Sequence, residues 1–237
     1  MHQPRLNRLV ASLVWLLVPM LVACSPPSPA PTEEGDVEQA AWVPLFDGSS
    51  LDSWTNVKGE PVGEKWQVID GALVLTEGGG GDILSGDTYA DFELELEWNI
   101  SEGGNSGVFY LVAQDSQPVW TSGLEYQVLD DESFPALAGS SELTASLFAL
   151  YSSAGAKPNP AGSYNTARIR VLNGQVEHWL NGTKVVEFTL WSDEFTTRVA
   201  NSKFAAYSGF GRAERGHIAL QDHGGKVSYR NIRIRPL

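Results

Sequence analysis

Apolar and acidic side chains alternate strictly along residues 91–98, Asp-Phe-Glu-Leu-Glu-Leu-Glu-Trp. Successive side chains of a β-strand point to opposite faces, so the pattern places Phe92, Leu94, Leu96 and Trp98 on one face. It predicts a strand with one buried face and one face in water. Similar short runs recur along the chain, at residues 66–69, 72–75, 107–112, 125–129, 167–172, 176–180, 184–189, 217–221 and 226–235.

Turn signals separate these runs. Asp70-Gly71, Asn173-Gly174 and Asn181-Gly182 lie between extended segments, and such pairs supply the positive φ angles of tight hairpins. Helical pattern is limited to about one turn within residues 191–199. With 24 glycines and many short strands, the chain is predicted to be all-β, a β-sandwich of jelly-roll type.

The first residues have the pattern of an export signal. Arg5 and Arg8 precede an apolar run over residues 9–22, which is interrupted by Ser12 and Pro19 and is shorter than the roughly 20 residues of a membrane span. Leu-Val-Ala-Cys at residues 21–24 fits a lipobox, which predicts a signal peptide over residues 1–23 and lipid attachment at Cys24. The alternative is an ordinary cleaved signal followed by a chance cysteine.

The domain organisation follows from this start. Residues 24–40 are rich in Pro, Glu, Ser and Ala and are predicted to form a flexible tether, followed by a single β-sandwich domain over residues 41–237. We expect a lipid-anchored protein of the cell envelope, at the outer membrane if the cell has two, because Ser25 replaces the Asp that commonly retains lipoproteins at the inner membrane.

The net charge argues against one class of partner, and the cysteine content limits the possible cross-links. The net charge is −13, and removal of residues 1–23 would take away two arginines and no acid. Because phosphate neutralisation needs clustered Lys and Arg, we expect no nucleic-acid partner. Cys24 is the single cysteine, which excludes an intramolecular disulfide.

Two segments place polar side chains on a common face. In an extended strand, Glu125 and Gln127 share one face; the alternative is a solvent-facing strand of an acidic protein. The second segment, residues 217–223, has His217, Gln221 and His223 on one side, which suggests that they line a cleft. The alternative is that Asp222 starts an Asx turn and that His223 is a surface histidine. No compact cluster has zinc-ligand spacing, so we expect neither a metal nor a cofactor.

A series of short motifs follows in order along the whole mature domain. They are Leu-Phe-Asp-Gly at residues 45–48, Asn-Ser-Gly at 105–107, the segment 125–130, Tyr-Asn-Thr at 164–166, His-Trp-Leu-Asn-Gly at 178–182, Gln-Asp-His-Gly at 221–224 and Arg-Asn-Ile at 230–232. Together, these motifs resemble those of the 3-keto-disaccharide hydrolase family, whose members are also described as 3-keto-glucoside lyases and 3-keto-2-hydroxyglucal hydratases.

This resemblance implies a concanavalin-A-like jelly roll and cleavage of a glycoside already oxidised to a ketone at C3. Removal of the acidified C2 proton would allow elimination at C1, with hydration of the glucal product as a further step. Glu125 and His223 are the acid/base candidates; we favour Glu125 as the base and His223 at the leaving group, with the reverse open. The residues expected to bind substrate, with Asp130 and Asp222 as orienting groups, are Asn105, Gln127, Asp130, His178, Lys203, Gln221 and Asp222.

Two other functions remain open at this point. The same sandwich serves non-catalytic carbohydrate-binding, lectin-like domains. A retaining glycosidase would need two carboxylates roughly 5 Å apart, and only Glu125 is a strong candidate for such a pair.

Overall fold

The computed structural model describes residues 40–237. The predicted signal peptide, Cys24 and almost all of the predicted tether lie outside the described residues. Within residues 40–237, no helix is both long and apolar enough to cross a membrane.

Two antiparallel sheets form the described domain, which confirms the predicted all-β sandwich. Its strands are β1 (Val43–Pro44), β2 (Trp54–Asn56), β3 (Trp66–Ile69), β4 (Ala72–Leu75), β5 (Ile83–Tyr89), β6 (Phe92–Ile100), β7 (Asn105–Val112), β8 (Leu124–Leu129), β9 (Asn165–Leu172), β10 (Gln175–Leu180), β11 (Thr183–Thr189), β12 (Gly216–Leu220) and β13 (Val227–Pro236).

The larger sheet has the strand order β11-β10-β9-β6-β13-β4-β3, and β1 also pairs with β13. The smaller sheet has the order β2-β5-β12-β7-β8. Most neighbours are distant in sequence, so the sandwich is closed by long connections as in a jelly roll. The three predicted turn pairs, at residues 70–71, 173–174 and 181–182, all have positive φ, and they connect β3 to β4, β9 to β10 and β10 to β11.

Strand β6 shows the predicted alternation. Phe92, Leu94, Leu96 and Trp98 are at most 1 % exposed and form part of the core between the sheets. The acidic face is less solvated than the sequence predicts, since Glu93 is only 3 % exposed. Arginines of β9 and β13 pair with the three glutamates of β6 and cover them.

Strands β1, β2 and β5 and one helix differ from the sequence prediction. Strand β5 was not predicted because Ser-Gly-Asp at residues 85–87 breaks its apolar pattern. The single helical turn expected near residues 191–199 is an eight-residue helix, α1 (Asp193–Ala200), whose N-cap Ser192 accepts a hydrogen bond from the Phe195 N–H at 3.2 Å.

The smaller sheet uses its two faces differently. Leu124, Tyr126 and Val128 of β8 enter the core between the sheets, so Glu125 and Gln127 lie on the opposite, outer face. Part of that outer face is covered by a second apolar cluster, which consists of Leu84, Phe109, Val112, Val119 and Ala219. The polar side chains therefore lie beside an apolar floor rather than in open water.

Candidate active site

A cavity of about 300 Å³ lies over the outer face of the smaller sheet. Polar side chains of β7, β8 and the segment after β12 meet side chains of the connecting segments there. It is lined by Asn105, Trp120, Glu125, Gln127, Phe148, Lys203, Phe204, Tyr207, Gln221 and His223. The structure thus brings together six of the predicted site residues and adds four aromatic ones.

The Asn-Ser-Gly motif shapes the cavity floor. Asn105 lines the cavity, while the Ser106 side chain points to the core, where it donates to the Gln221 carbonyl at 2.7 Å and bonds the Tyr229 hydroxyl at 2.7 Å. At Gly107, a Cβ would lie 2.5 Å from Oε1 of Glu125. Only glycine therefore leaves room for the Glu125 carboxyl to lie across β7.

Glu125 is a buried acid within this cavity. Its residue is 8 % exposed, and no Lys or Arg of residues 40–237 forms a salt bridge with it. Burial raises the pKa of Glu125 to about 8; the positive charge of Lys203 opposes this shift, and the charge of Asp82 adds to it. Glu125 therefore keeps its proton at neutral pH, unlike an exposed glutamate.

Three side-chain oxygens around Glu125 are buried with no hydrogen-bond partner in the described part of the chain. They are Oδ1 of Asn105, Oε1 of Gln127 and Oε1 of Gln221. Buried polar atoms are ordinarily satisfied, and three exceptions in one cavity indicate a place built for a ligand with hydroxyl donors.

The Gln-Asp-His-Gly motif divides into binding and structural residues. Gln221 and His223 line the cavity. Between them, Oδ2 of Asp222 accepts hydrogen bonds from the N–H groups of Gly79 and Gly81, at 2.8 and 2.9 Å. Asp222 therefore holds the glycine-rich loop and, contrary to its predicted role in substrate binding, does not line the cavity.

A carboxyl that the sequence analysis missed lies beside this motif. Asp82 immediately precedes β5, and its Oδ1 accepts a hydrogen bond from the Asp222 N–H at 3.0 Å. Burial raises the pKa of Asp82 to about 6, with the Asp222 charge adding to the shift and the His223 charge opposing it. A lone Asp after four glycines carries no signal in the sequence that would reveal this position.

The remaining walls are aromatic and come from connecting segments. Lys203, at the start of the 3-10 helix Lys203–Ala206, holds its Nζ 4.0 Å from the centroid of the Phe148 ring. Trp120 and Tyr207 meet edge to face with centroids 5.0 Å apart. None of these aromatic residues belongs to a motif, and no pattern in the sequence marks them as part of a site.

Two further predicted binding residues, His178 and Asp130, also lie outside the cavity. His178 is fully buried; Nε2 bonds the Tyr110 hydroxyl at 2.9 Å, Nδ1 bonds the Ala145 carbonyl at 3.0 Å, and burial lowers the pKa of His178 to about 4. Asp130 accepts hydrogen bonds from the Gly103 N–H at 2.8 Å and the Ser133 hydroxyl at 2.6 Å. His178 is therefore a core residue and Asp130 a turn residue. In residues 40–237, no group of three or more His, Cys, Asp or Glu could hold a metal ion.

Comparison with known proteins adds a family. The model of the 3-keto-alpha-glucoside-1,2-lyase-like domain matches residues 41–235. A curated protein of Bacteroides thetaiotaomicron, named 3-keto-disaccharide hydrolase, is 33 % identical over 232 residues, which cover 85 % of this chain and 80 % of the relative.

Solved structures agree with this match. A crystal structure from Parabacteroides distasonis, provisionally assigned as a glycosyl hydrolase, has a TM-score of 0.76 and 32 % identity, and the match covers 87 % of this chain and 97 % of that one. A Bacillus subtilis protein with a galectin-like fold has a TM-score of 0.52 at 16 % identity, over 83 % of this chain and 94 % of that one. The latter likeness concerns the fold alone and agrees with the predicted jelly roll.

Proposed function

The chain belongs to the family of 3-keto-alpha-glucoside-1,2-lyase-like domains, and we propose that its cavity cleaves glycosides whose sugar carries a ketone at C3. Membership of this family and the relative named 3-keto-disaccharide hydrolase support an enzyme that acts on glycosides. The observation that carries the proposal is the buried carboxyl of Glu125 in one cavity with three acceptor oxygens that lack partners in the described part of the chain.

The ketone makes the reaction chemically accessible. A carbonyl at C3 acidifies the proton on C2, so a base removes that proton and the electrons form an enolate on the C3 oxygen. Collapse of the enolate breaks the bond between C1 and the glycosidic oxygen, and an acid protonates the departing oxygen. Addition of water to C1 of the resulting glucal then gives the free 3-keto sugar, so that elimination and hydration together amount to hydrolysis.

Glu125 supplies the proton to the leaving group in this proposal. A general acid must be protonated at the working pH, and burial raises the pKa of Glu125 to about 8. The sequence alone favoured the reverse assignment, with Glu125 as the base, because a glutamate in water is ionised near pH 7. Burial under the aromatic walls is the physical reason for exchanging the two roles.

His223 is then the base that takes the C2 proton. It lines the same cavity, and histidine is the side chain most often used for general acid/base catalysis. Among residues 40–237, Lys203 is the one Lys or Arg that lines the cavity, and its ammonium, held over the Phe148 ring, would stabilise negative charge on the C3 oxygen of the enolate.

Binding of the sugar follows from the remaining walls. The oxygens of Asn105, Gln127 and Gln221 can accept hydrogen bonds from sugar hydroxyls, and a site with buried unpaired acceptors rejects ligands that lack those hydroxyls. Trp120 and Tyr207 offer apolar surface to the C–H face of the ring.

The test compares a 3-keto glucoside with its unoxidised parent. We expect turnover of the ketone only, with a primary isotope effect when C2 carries deuterium, because the C2–H bond breaks in the first step. Equal turnover of both compounds would exclude elimination and favour a direct glycosidase. Binding of both without turnover would favour the lectin-like alternative.

A further inference from the structure

A second space adjoins the cavity. This aromatic groove has a volume of about 260 Å³ and is formed mainly by Trp191, Phe195, Val199, Phe204, Tyr207 and Phe210. Phe204 and Tyr207 line both the groove and the cavity, so the two spaces lie side by side.

The groove differs from the cavity in chemistry. Apart from the indole N–H of Trp191 and the hydroxyl of Tyr207, the polar side chains that line the groove are Thr196, Ser208 and Arg212, and all three are exposed. The cavity contains buried polar atoms without hydrogen-bond partners. Within residues 40–237, none of those atoms belongs to a residue that lines the groove. Among the described residues, the groove therefore presents apolar surface and has no buried, unpaired polar atom that would bind sugar hydroxyls.

Another neighbour of the cavity has the opposite character. The polar groove, lined among others by Glu142, Thr197, Arg198, Asn201 and Lys203, meets the cavity at Lys203. A leaving group rich in hydroxyls suits this polar groove, whereas the aromatic groove suits a flat apolar one.

We propose that the aromatic groove binds the apolar, aromatic aglycone of a glycoside whose sugar occupies the cavity. This inference rests on the proposal that the cavity holds a glycoside. A cavity of roughly 150 Å³ already binds benzene in another protein, so the groove is large enough for a phenyl ring. The protein would accordingly act on aryl glycosides as well as on disaccharides.

Two adjacent threonines of α1 provide a matched test. Thr196 lines the aromatic groove and Thr197 lines the polar groove, and both are exposed. Thr196→Trp fills the aromatic groove, and Thr197→Trp is the control with the same change one residue away. Ser208→Trp fills the aromatic groove from another segment, in case the helix variant folds poorly.

The measurements are KM for the 3-keto forms of phenyl glucoside, methyl glucoside and a disaccharide, and Kd by calorimetry for the unoxidised phenyl and methyl glucosides. We expect wild type to favour phenyl over methyl glucoside by about tenfold or more, and Thr196→Trp or Ser208→Trp to remove that preference while Thr197→Trp keeps it. KM for the disaccharide should stay within about twofold in the two groove-filling variants.

Three results would overturn the inference. The first is a wild type with no preference for the phenyl compound, and the second is a Thr197→Trp variant that loses this preference as fully as the groove-filling variants do. The third is a KM for the disaccharide that rises in the groove-filling variants as much as the KM for the phenyl compound. Failure of the proposed function is separable, since it would appear as absence of turnover in wild type. A phenyl preference in Kd that only the groove-filling variants lose would still support the inference in that case.

Discussion

Replacing Glu125 by Gln should abolish turnover and, at alkaline pH, stabilise the fold. Glutamine has nearly the shape of a protonated glutamate but cannot ionise. The native pKa of Glu125 is raised to about 8 from an ordinary value of 4.5. Between these two values the native state binds more protons than the unfolded state, so the stability of the wild type falls as pH rises through this window.

The size of the effect follows from the shift. At about 1.4 kcal/mol per pKa unit, the raised pKa of Glu125 lowers the free energy of unfolding by roughly 3 kcal/mol at pH 7, where the unfolded chain ionises this group and the native chain does not, and by roughly 5 kcal/mol at pH 9. Entry of water beside the ionised carboxyl reduces these values, which are upper limits. The variant lacks this cost, so its advantage over wild type should be small at pH 5 and grow up to about pH 8.

The assay is urea unfolding of wild type and Glu125→Gln between pH 5 and 9. Glu102→Gln, at an exposed position, is the control and should show no advantage that grows with pH. Activity in the same buffers should fall for wild type as pH rises through about 8, because the general acid loses its proton. A stability difference that does not change with pH would refute the raised pKa and, with it, the assignment of Glu125 as the acid.

Four further variants test other parts of the site. His223→Gln should lower kcat by about 10²- to 10⁴-fold with little change in melting temperature; near-normal kcat would remove His223 from the mechanism. Gly107→Ala places a Cβ 2.5 Å from Oε1 of Glu125, so kcat/KM should fall at least about tenfold while circular dichroism stays native. Asp222→Ala should lower the free energy of unfolding in urea by about 0.5–1.5 kcal/mol, since two exposed loop N–H groups exchange their carboxylate acceptor for water. Cys24→Ala should release the protein from the membrane fraction; unchanged detergent-dependent fractionation would contradict the lipid anchor.

Much of the fold was predictable because most strands have one buried face. Strand β6 is the clearest example, as its period-two pattern matches the observed burial of Phe92 through Trp98. Strand β5 has a buried start and an exposed second half around Gly86, and such a change of environment within one strand erases the alternation. The predicted hairpins were reliable because Asn-Gly and Asp-Gly pairs adopt the required backbone angles by themselves.

The site was predictable only where the motifs lie on strands. Glu125 and Gln127 could be assigned to one face, and the structure places both in the cavity. The binding role predicted for His178 is wrong, since it rested on the motif His-Trp-Leu-Asn-Gly. The alternation of β10 places His178 on the inner face with Val176 and Leu180, which are both buried. Asp82 lies beside Asp222 because β5 pairs with β12, a contact between segments far apart in sequence.

The proposed acid function depends on more than the motifs. Glycine at 107 lets the Glu125 carboxyl lie across the sheet, but the raised pKa of Glu125 comes mainly from exclusion of water. Trp120, Phe148 and Tyr207 line the same cavity as Glu125, come from connecting segments and belong to no motif. A relative with the same motifs and shorter connecting segments would hold the same glutamate in water, where it would be ionised near pH 7 and could not protonate a leaving group. The chemistry of this cavity is therefore a property of the covered sheet face, and the motif residues acquire their roles only beneath that cover.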